Sequence, residues 1–281
     1  DGWLEGIFKI EKITVSPDNP RYSMYENQFI IGKSSIEQEN YDAFIFCPRS
    51  IEGKIKIPDF IEIIGPNAFE FCYKIQFEFS PDSKLRIIGN SSFLGAFIER
   101  ISIPTKVTQI CDQAFYGCGN LKKIEIQKNS ELEIIGKKAF CGTLIESIYI
   151  PSKVTELKKD FVYETPILKS ILVSSSNHLY STYNEGKFII KKSSIEQPNF
   201  DILAFCIDKS HFITIPSFIK VIEDGLFYSN ENIREIHFQR DSKLEVIGEN
   251  AFERSNIEKI SIPSSLKIIG LNCFLNCHNL K

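Results

Sequence analysis

A repeat with a period in the twenties runs along this chain and decides what it can fold into. Short apolar triplets of strand character end at Val15, Ile57, Phe79, Ile103, Ile126, Ile150, Val173, Ile215, Phe238 and Ile262. Subtraction gives successive spacings of 42, 22, 24, 23, 24, 23, 42, 23 and 24 residues. Such a period is typical of stacked coils that each contact only their neighbours. An array of this kind displays a broad face instead of one deep pocket, which favours binding over catalysis.

Each coil predicts one strand followed by a turn or a short helix. Ile101 and Ile103 alternate with polar residues, so one face of that strand is apolar. Proline cannot donate the next ladder hydrogen bond, and it follows the triplet at Pro58, Pro104, Pro151, Pro216 and Pro263. The predicted fold class is therefore α/β, a solenoid in which each coil of about 23 residues holds one short parallel strand plus a short helix or turn. We expect residues 1–281 to form a single solenoid domain.

A large aromatic residue recurs in the returning half of each coil. The positions are Trp3, Phe69, Phe93, Phe115, Phe140, Phe161, Phe227, Phe252 and Phe274, most of them preceded by a small residue. A ladder of rings could stack a ligand, but large aromatics more often fill a core. We interpret the row as a buried spine.

A second period of 158 residues, from Val15 to Val173, lies over the first. It begins each time with a long coil, residues 16–54 and 174–212, and both long coils contain the sequence KSSIEQ. The apolar runs Phe29–Ile31 and Ala43–Phe46 predict a β-hairpin that projects from the stack, and the second copy repeats the pattern. The KSSIEQ loop is either a recognition element or an ordinary polar turn that duplication copied, and the second interpretation is favoured.

Composition and motifs argue against several classes of function. The net charge is −3 with both signs interspersed, whereas a nucleic-acid partner favours a basic stripe. No apolar run approaches the roughly 20 residues of a membrane-spanning helix. The four histidines are scattered, and neither a Cys-x-x-Cys pair nor a glycine-rich phosphate loop occurs. We therefore expect no cofactor, no metal, no nucleic-acid partner and no catalytic site.

Four of the eight cysteines occupy slots of the repeat that are expected to be interior, and one of the four, Cys273, stands where Ala is usual. Cys72, Cys118 and Cys277 each follow the coil's Phe by three residues, and free cysteine behaves as a small hydrophobe there. Cys72 and Cys118 are two coils apart, about 10 Å by strand spacing, which is too far for a disulfide. Cys118 and Cys141 lie on adjacent coils, and the sequence does not exclude a disulfide between them.

Both ends of the chain interrupt a coil. Trp3 stands in the Phe position of a coil without a first half, and Asn279, Leu280 and Lys281 repeat Asn120, Leu121 and Lys122, where a new strand starts. We expect a fragment of a longer array.

Asn90, Ser91 and Ser92 form an N-glycosylation sequon. The sequon precedes Phe93 in a turn that should lie on the outside of its coil. Asn90 is therefore a candidate glycosylation site if the protein is secreted by a eukaryote.

The segment IERISIPTKVTQICDQAFYGCGNLKKIEI, residues 98–126, resembles the leucine-rich repeats of the BspA-like surface proteins of anaerobic bacteria and trichomonad parasites. The long coils, with Asn19, Tyr22 and Ser23 before a Phe-Ile-Ile run, are similar to that family's interrupting segment. The high Ile, Phe, Lys and Asn content suits a trichomonad-type member. The resemblance implies a protein of the cell surface, or a secreted one, that adheres to host cells or matrix proteins.

Strand alternation predicts which side chains face a ligand on the concave sheet. The candidate partner-binding residues are Tyr149, Leu172, Phe212, Lys123, Glu125, Arg100 and His237, the first three forming the predicted centre because exposed aromatic and apolar residues are enriched in interface hot spots. His237 is interpreted as a surface histidine and not as a base. The alternative function is an intracellular repeat scaffold for protein partners, which interior thiols would favour slightly.

Overall fold

The computed structural model describes residues 13–281, which form two compact units. Unit 1 extends to Leu168 and unit 2 covers Lys169–Lys281, and each is described by itself. Trp3, predicted to start the aromatic row, lies outside the described residues. Around Val15, the first predicted triplet, the described residues 13–16 form no strand.

Unit 1 contains three kinds of strand. A three-stranded meander comprises β1 (Tyr22–Tyr25), β2 (Phe29–Gly32) and β3 (Ala43–Phe46). The long strands are β4 (Gly53–Ile57), β6 (Ile75–Phe79), β8 (Arg100–Ile103), β10 (Lys123–Ile126) and β12 (Ser147–Ile150). The short strands are β5 (Ile63–Ile64), β7 (Ile87–Ile88), β9 (Gln109–Ile110), β11 (Ile134–Ile135) and β13 (Glu156–Leu157). Each coil therefore holds two strands, one more than the sequence predicted.

Unit 2 repeats this plan. Its long strands are β14 (Ser170–Val173), β18 (Phe212–Ile215), β20 (Glu235–Phe238) and β22 (Lys259–Ile260). Its meander is β15 (Tyr180–Tyr183), β16 (Phe188–Lys191) and β17 (Ile202–Cys206), and its short strands are β19 (Val221–Ile222), β21 (Val246–Ile247) and β23 (Ile268–Ile269). The strand predicted to end at Ile262 ends at Ile260.

Parallel pairing stacks the coils in each unit. The short strands of unit 1 continue the meander into one eight-stranded sheet, in the order β1-β2-β3-β5-β7-β9-β11-β13, and the long strands pair as β4 with β6 and β8 with β10. In unit 2 the order is β15-β16-β17-β19-β21-β23, and β18, β20 and β22 form a second sheet. The predicted solenoid of stacked coils is thus found in each unit.

The meander is wider than the predicted hairpin and is placed differently. Phe29–Gly32 and Ala43–Phe46 pair antiparallel as expected, but Tyr22–Tyr25 adds a strand that the sequence analysis missed. Ala43 and Phe44 then pair in parallel with Ile63 and Ile64 of the next coil. The hairpin therefore extends the sheet of short strands and does not project from the stack. Its central strand is buried over all four residues, which explains its continuous apolar sequence.

The predicted short helix is wrong, because residues 13–281 contain no helix and the returning half of each coil is a run of turns. Left-handed residues stand two positions before and two after the coil's Phe, as with Gln113 (φ 57°) and Gly117 (φ 68°) around Phe115. An α-helix requires right-handed geometry at each of these positions. The backbone amides pair with the next coil instead, and Phe115 N donates to Ala139 O at 2.8 Å.

The aromatic row is a buried spine, as interpreted from the sequence. In unit 1 the rings of Phe69, Phe93, Phe115 and Phe140 are fully buried and stack with centroid distances of 5.1, 5.0 and 5.4 Å. In unit 2, Phe227 and Phe252 stack at 5.0 Å. No ring of these pairs is available to stack a ligand from solvent.

Candidate functional site

The outward side chains of the long strands form what we call the long-strand face. In unit 1 they are Lys54, Lys56, Gln76, Glu78, Arg100, Ser102, Lys123, Glu125, Ser147 and Tyr149, and in unit 2 Ser170, Leu172, Phe212, Thr214, Glu235, His237 and Lys259. Each alternates with apolar neighbours that point into the coil, as Arg100 and Ser102 do with the buried Ile101 and Ile103. Within each unit, the pleat therefore directs the candidate partner-binding residues of that unit outward from its long strands.

Three of the candidates lie together on β8 and β10. Arg100 and Lys123 are directly opposite each other in the parallel ladder, and the Lys123 ammonium contacts the Glu125 carboxylate at 2.5 Å. Hydrogen bonding and charge from Lys123 lower the pKa of Glu125, with a smaller contribution from Arg100. Like charges directly opposite are unfavourable in a sheet. Two cations and one anion therefore give this spot a local positive charge that suits an acidic group of a ligand.

Two more candidates meet on the long-strand face of unit 2. The rings of Phe212 and His237 have a centroid distance of 6.4 Å and an interplanar angle of 35°. His237 Nε2 lies 3.2 Å from Glu235, which pairs with Phe212 across the ladder. Phe212 is 61 % exposed, a high fraction for a large apolar ring. The arrangement presents an aromatic surface with a polar edge, which is a common composition of protein interfaces.

Leu172 and Tyr149 occupy equivalent positions in their strands but belong to different units. Leu172 is 49 % exposed and Tyr149 is half-buried. The edge of β14 beside Leu172 is covered by a turn of the meander, since Ile171 N donates to Gly186 O at 2.9 Å. Leu172 therefore stands next to a backbone edge that is already paired.

One contributor to the long-strand face escaped the sequence analysis. Lys54 lies one alternation before Lys56, and its ammonium contacts the Glu78 carboxylate at 2.5 Å. Lys54 directly follows Gly53, a residue that is uncommon inside strands, so the strand predicted from the sequence began after Lys54. The alternation with the buried Ile55 is the signal that would have found it.

The two KSSIEQ loops share one construction. In unit 1 the buried Asp42 accepts hydrogen bonds from the Ser34 backbone and hydroxyl and from Gln38. In unit 2 the buried Asp201 accepts the equivalent pair from Ser193. Their tips leave one isoleucine largely in solvent, Ile36 at 82 % and Ile195 at 67 % exposure. These loops are ordered by a carboxylate, so they are more specific structures than a generic polar turn.

The sequon asparagine lies on the outside of its coil. Asn90 is exposed, and its side-chain oxygen accepts a hydrogen bond from the Asp112 backbone amide at 3.1 Å. Asp112 makes the same contact with Lys137 one coil later, at 2.8 Å. Ser92 is fully buried. The occupancy of Asn90 by a glycan stays a prediction.

The cysteines are free thiols and most are buried. Burial raises the pKa of Cys118 and of Cys206 to about 12, which keeps these thiols protonated at neutral pH. Within residues 13–281, no group of three or more His, Cys, Asp and Glu side chains is arranged to hold a metal ion. Over the same residues, no helix is long and apolar enough to cross a membrane.

Comparison with known proteins gives a family match and several structural neighbours. The family model described as BspA type leucine rich repeat region matches residues 37–169 and 172–281, with six copies. Among the curated proteins, none matches the sequence.

Solved structures show the same fold at low identity. The pneumococcal vaccine antigen PcpA superimposes with a TM-score of 0.67 at 23 % identity, over 81 % of this chain and 60 % of that one. A leucine-rich repeat protein from Eubacterium ventriosum gives 0.63 at 23 % identity, over 81 % and 58 % of the two chains. A leucine-rich cell surface protein from Faecalibacterium prausnitzii gives 0.58 at 18 % identity, over 95 % and 83 %. This chain thus spans less than two thirds of the first two proteins.

Proposed function

The chain belongs to the BspA-type leucine-rich repeat family, and from this premise we propose that it is a non-catalytic protein-binding module of a cell-surface protein. The proposed ligands are proteins of a host cell or of its extracellular matrix, which contact the long-strand face. Two of the structural neighbours are named as a vaccine antigen and as a cell surface protein, which supports the surface location. A trichomonad origin stays a prediction from composition.

The observation that carries this proposal is the exposure of Phe212 and Leu172. Both project from strands whose alternate residues are buried, so the fold holds them rigidly in solvent at 61 % and 49 % exposure. Full burial of a Phe or Leu side chain contributes about 1.5–3 kcal/mol. Covering the exposed parts of both would contribute about 2 kcal/mol to a complex, or roughly 30-fold in affinity. Ordered apolar anchors of this kind are typical of interface hot spots.

Charged residues of unit 1 would add specificity to the binding. Arg100 and Lys123 face each other across the ladder with the single carboxylate of Glu125 beside them, so an acidic side chain of a ligand would balance the remaining positive charge. Exposed ion pairs contribute little to affinity, typically below about 1 kcal/mol, but they steer association and select partners. We therefore propose that Arg100 and Lys123 determine which partner binds, and that the exposed apolar residues supply most of the affinity.

The alternative is an intracellular scaffold for protein partners. All eight cysteines are free thiols in this structure, which is compatible with a reducing compartment. An antibody against an exposed loop, such as residues 33–42, separates the two functions. Labelling of unpermeabilised cells supports the surface proposal, whereas labelling only after permeabilisation supports the scaffold.

The binding test compares two sets of substitutions in the purified chain. Tyr149→Ala, Leu172→Ala and Phe212→Ala together remove the apolar side chains of the long-strand face. Ile36→Ser and Ile195→Ser together change exposed apolar side chains of the loops, and serve as the matched comparison. We expect the first set to weaken binding to host cells or matrix proteins and the second to leave it unchanged.

A further inference from the structure

The thiol of the cysteine that follows the coil's Phe by three residues points toward the preceding coil. Cys118 Sγ lies 3.0 Å from Phe93 O, the carbonyl of the Phe one coil earlier. Cys277 Sγ makes the same contact with Phe252 O, at 2.9 Å. Cys72 occupies this position after Phe69. By the symmetry of the repeat, its thiol is directed at the residue that holds the Phe position in the preceding coil.

That residue is Cys47. Its backbone amide donates to Ala68 O at 2.9 Å, just as the Phe69 amide donates to Ser92 O at 2.7 Å one coil later. Cys47 therefore replaces Phe at the point where the meander joins the first regular coil. The thiol of Cys72 and the thiol of Cys47 are thus brought together on adjacent coils.

The raised pKa of the Cys47 thiol supports the contact that the backbone register indicates. A hydrogen bond with Cys72, followed by burial, raises the pKa of Cys47 well above its ordinary value. Both residues are buried, with exposures of 1 % and 0 %.

We propose that Cys47 and Cys72 are joined by a disulfide when the chain folds in an oxidising compartment. Both thiols lose their hydrogens and are oxidised, while a small-molecule disulfide such as oxidised glutathione is reduced to two thiols. One cysteine thiolate attacks a glutathione sulfur and releases one glutathione, and the second cysteine thiolate then displaces the other. The exchange takes place during folding, because the native coil buries both sulfurs.

Unit 2 contains a natural control for this pair. Cys206 corresponds to Cys47 in the second long coil, and it is half-buried. The residue three positions after Phe227, where a second thiol would be required, is Asn230. The structure therefore assigns the bond to the first long coil and not to its copy.

The experiment is to refold the full chain in a buffer of oxidised and reduced glutathione, and in reducing buffer for comparison. Free thiols are then blocked with N-ethylmaleimide under denaturing conditions and counted by mass spectrometry. Eight thiols should react after reducing refolding, and six, eight minus the two joined, after oxidising refolding. Trypsin should release one linked pair, residues 34–49 joined to residues 57–74. The thermal unfolding midpoint should rise by about 5–10 °C in the oxidised chain.

Three variants make the result decisive. Cys72→Ser should abolish both the linked peptide and the rise in midpoint, and Cys47→Ala should do the same if the serine variant folds poorly. Cys206→Ser should retain both. Eight reactive thiols after oxidising refolding, or a linkage between other cysteines in the folded chain, would overturn the proposal. This outcome is independent of ligand binding, so it leaves the proposed function untouched.

Discussion

Truncation of Phe115 tests whether the aromatic row carries the stability of the solenoid. The ring is fully buried between Phe93 and Phe140, with centroid distances of 5.0 and 5.4 Å and an interplanar angle of 6° in each pair. Replacement of a buried Phe by Ala typically lowers the free energy of unfolding by about 3–5 kcal/mol. Because Phe115 stacks on both sides, and each such pair contributes about 0.5–1.5 kcal/mol, we expect Phe115→Ala to fall in the upper part of this range, at about 4–5 kcal/mol.

A second substitution at Phe115 separates the contribution of ring stacking to stability from the contribution of apolar volume. Phe115→Leu keeps most of the apolar volume and loses both stacked pairs, so we expect a cost of about 1–3 kcal/mol. Urea unfolding followed by circular dichroism measures both changes in the free energy of unfolding. Phe97→Ala, at a 42 % exposed ring, is the control and should cost less than about 1 kcal/mol. A Phe115→Ala cost below about 1 kcal/mol, or one no larger than the control's, would refute the buried-spine interpretation.

Three further predictions concern local features of the chain. Asp42→Asn should destabilise unit 1 by about 2 kcal/mol in urea unfolding, because a buried carboxylate that orders its loop through three hydrogen bonds becomes an amide; an unchanged midpoint would contradict this. Lys123→Gln should raise the pKa of Glu125 toward its ordinary value in an NMR titration, whereas Lys122→Gln should not. Since Lys123 lowers that pKa, their interaction stabilises the fold above the ordinary pKa of a glutamate and is lost as the pH falls through the lowered value. Gly95→Ala should lower the thermal midpoint, because a Cβ there would lie 2.4 Å from an aromatic ring at a φ of 62°, and a normal midpoint would show that the turn adapts.

Period-2 alternation and the prolines located most of the long strands from sequence alone. Strands β8, β10 and β12 end at Ile103, Ile126 and Ile150, where the triplets ended. Apolar periodicity also separated core from surface, because the same pleat that buries Ile101 exposes Arg100. These features depend on local sequence, so a single chain reveals them.

The returning half of the coil was harder to predict. Its left-handed positions hold ordinary residues such as Gln113 and Lys138 in place of the glycine that usually signals such a turn. A helical turn and this coil-to-coil pairing bury the same Phe, so the apolar pattern could not tell them apart. The short strands carried a signal that was overlooked, the repeated doublets Ile63–Ile64, Ile87–Ile88 and Ile134–Ile135.

The candidate site was predictable residue by residue, but its contacts were not. Alternation placed Phe212 and His237 outward, yet their ring contact depends on the register between β18 and β20. The opposition of Arg100 and Lys123 likewise depends on the pairing of β8 with β10. Coil lengths between 22 and 24 residues left that register open. Only the pairing of the strands converts a set of exposed residues into local surfaces.

The central claim is that the long-strand face binds a protein ligand at a cell surface. The most direct measurement is the binding of the purified chain to cultured host cells and to immobilised matrix proteins, compared between the wild type and the triple variant Tyr149→Ala, Leu172→Ala and Phe212→Ala. We predict a loss of at least about 10-fold in affinity for the triple variant, with thermal stability retained. Unchanged binding by the triple variant, or no binding by the wild type, would contradict the claim.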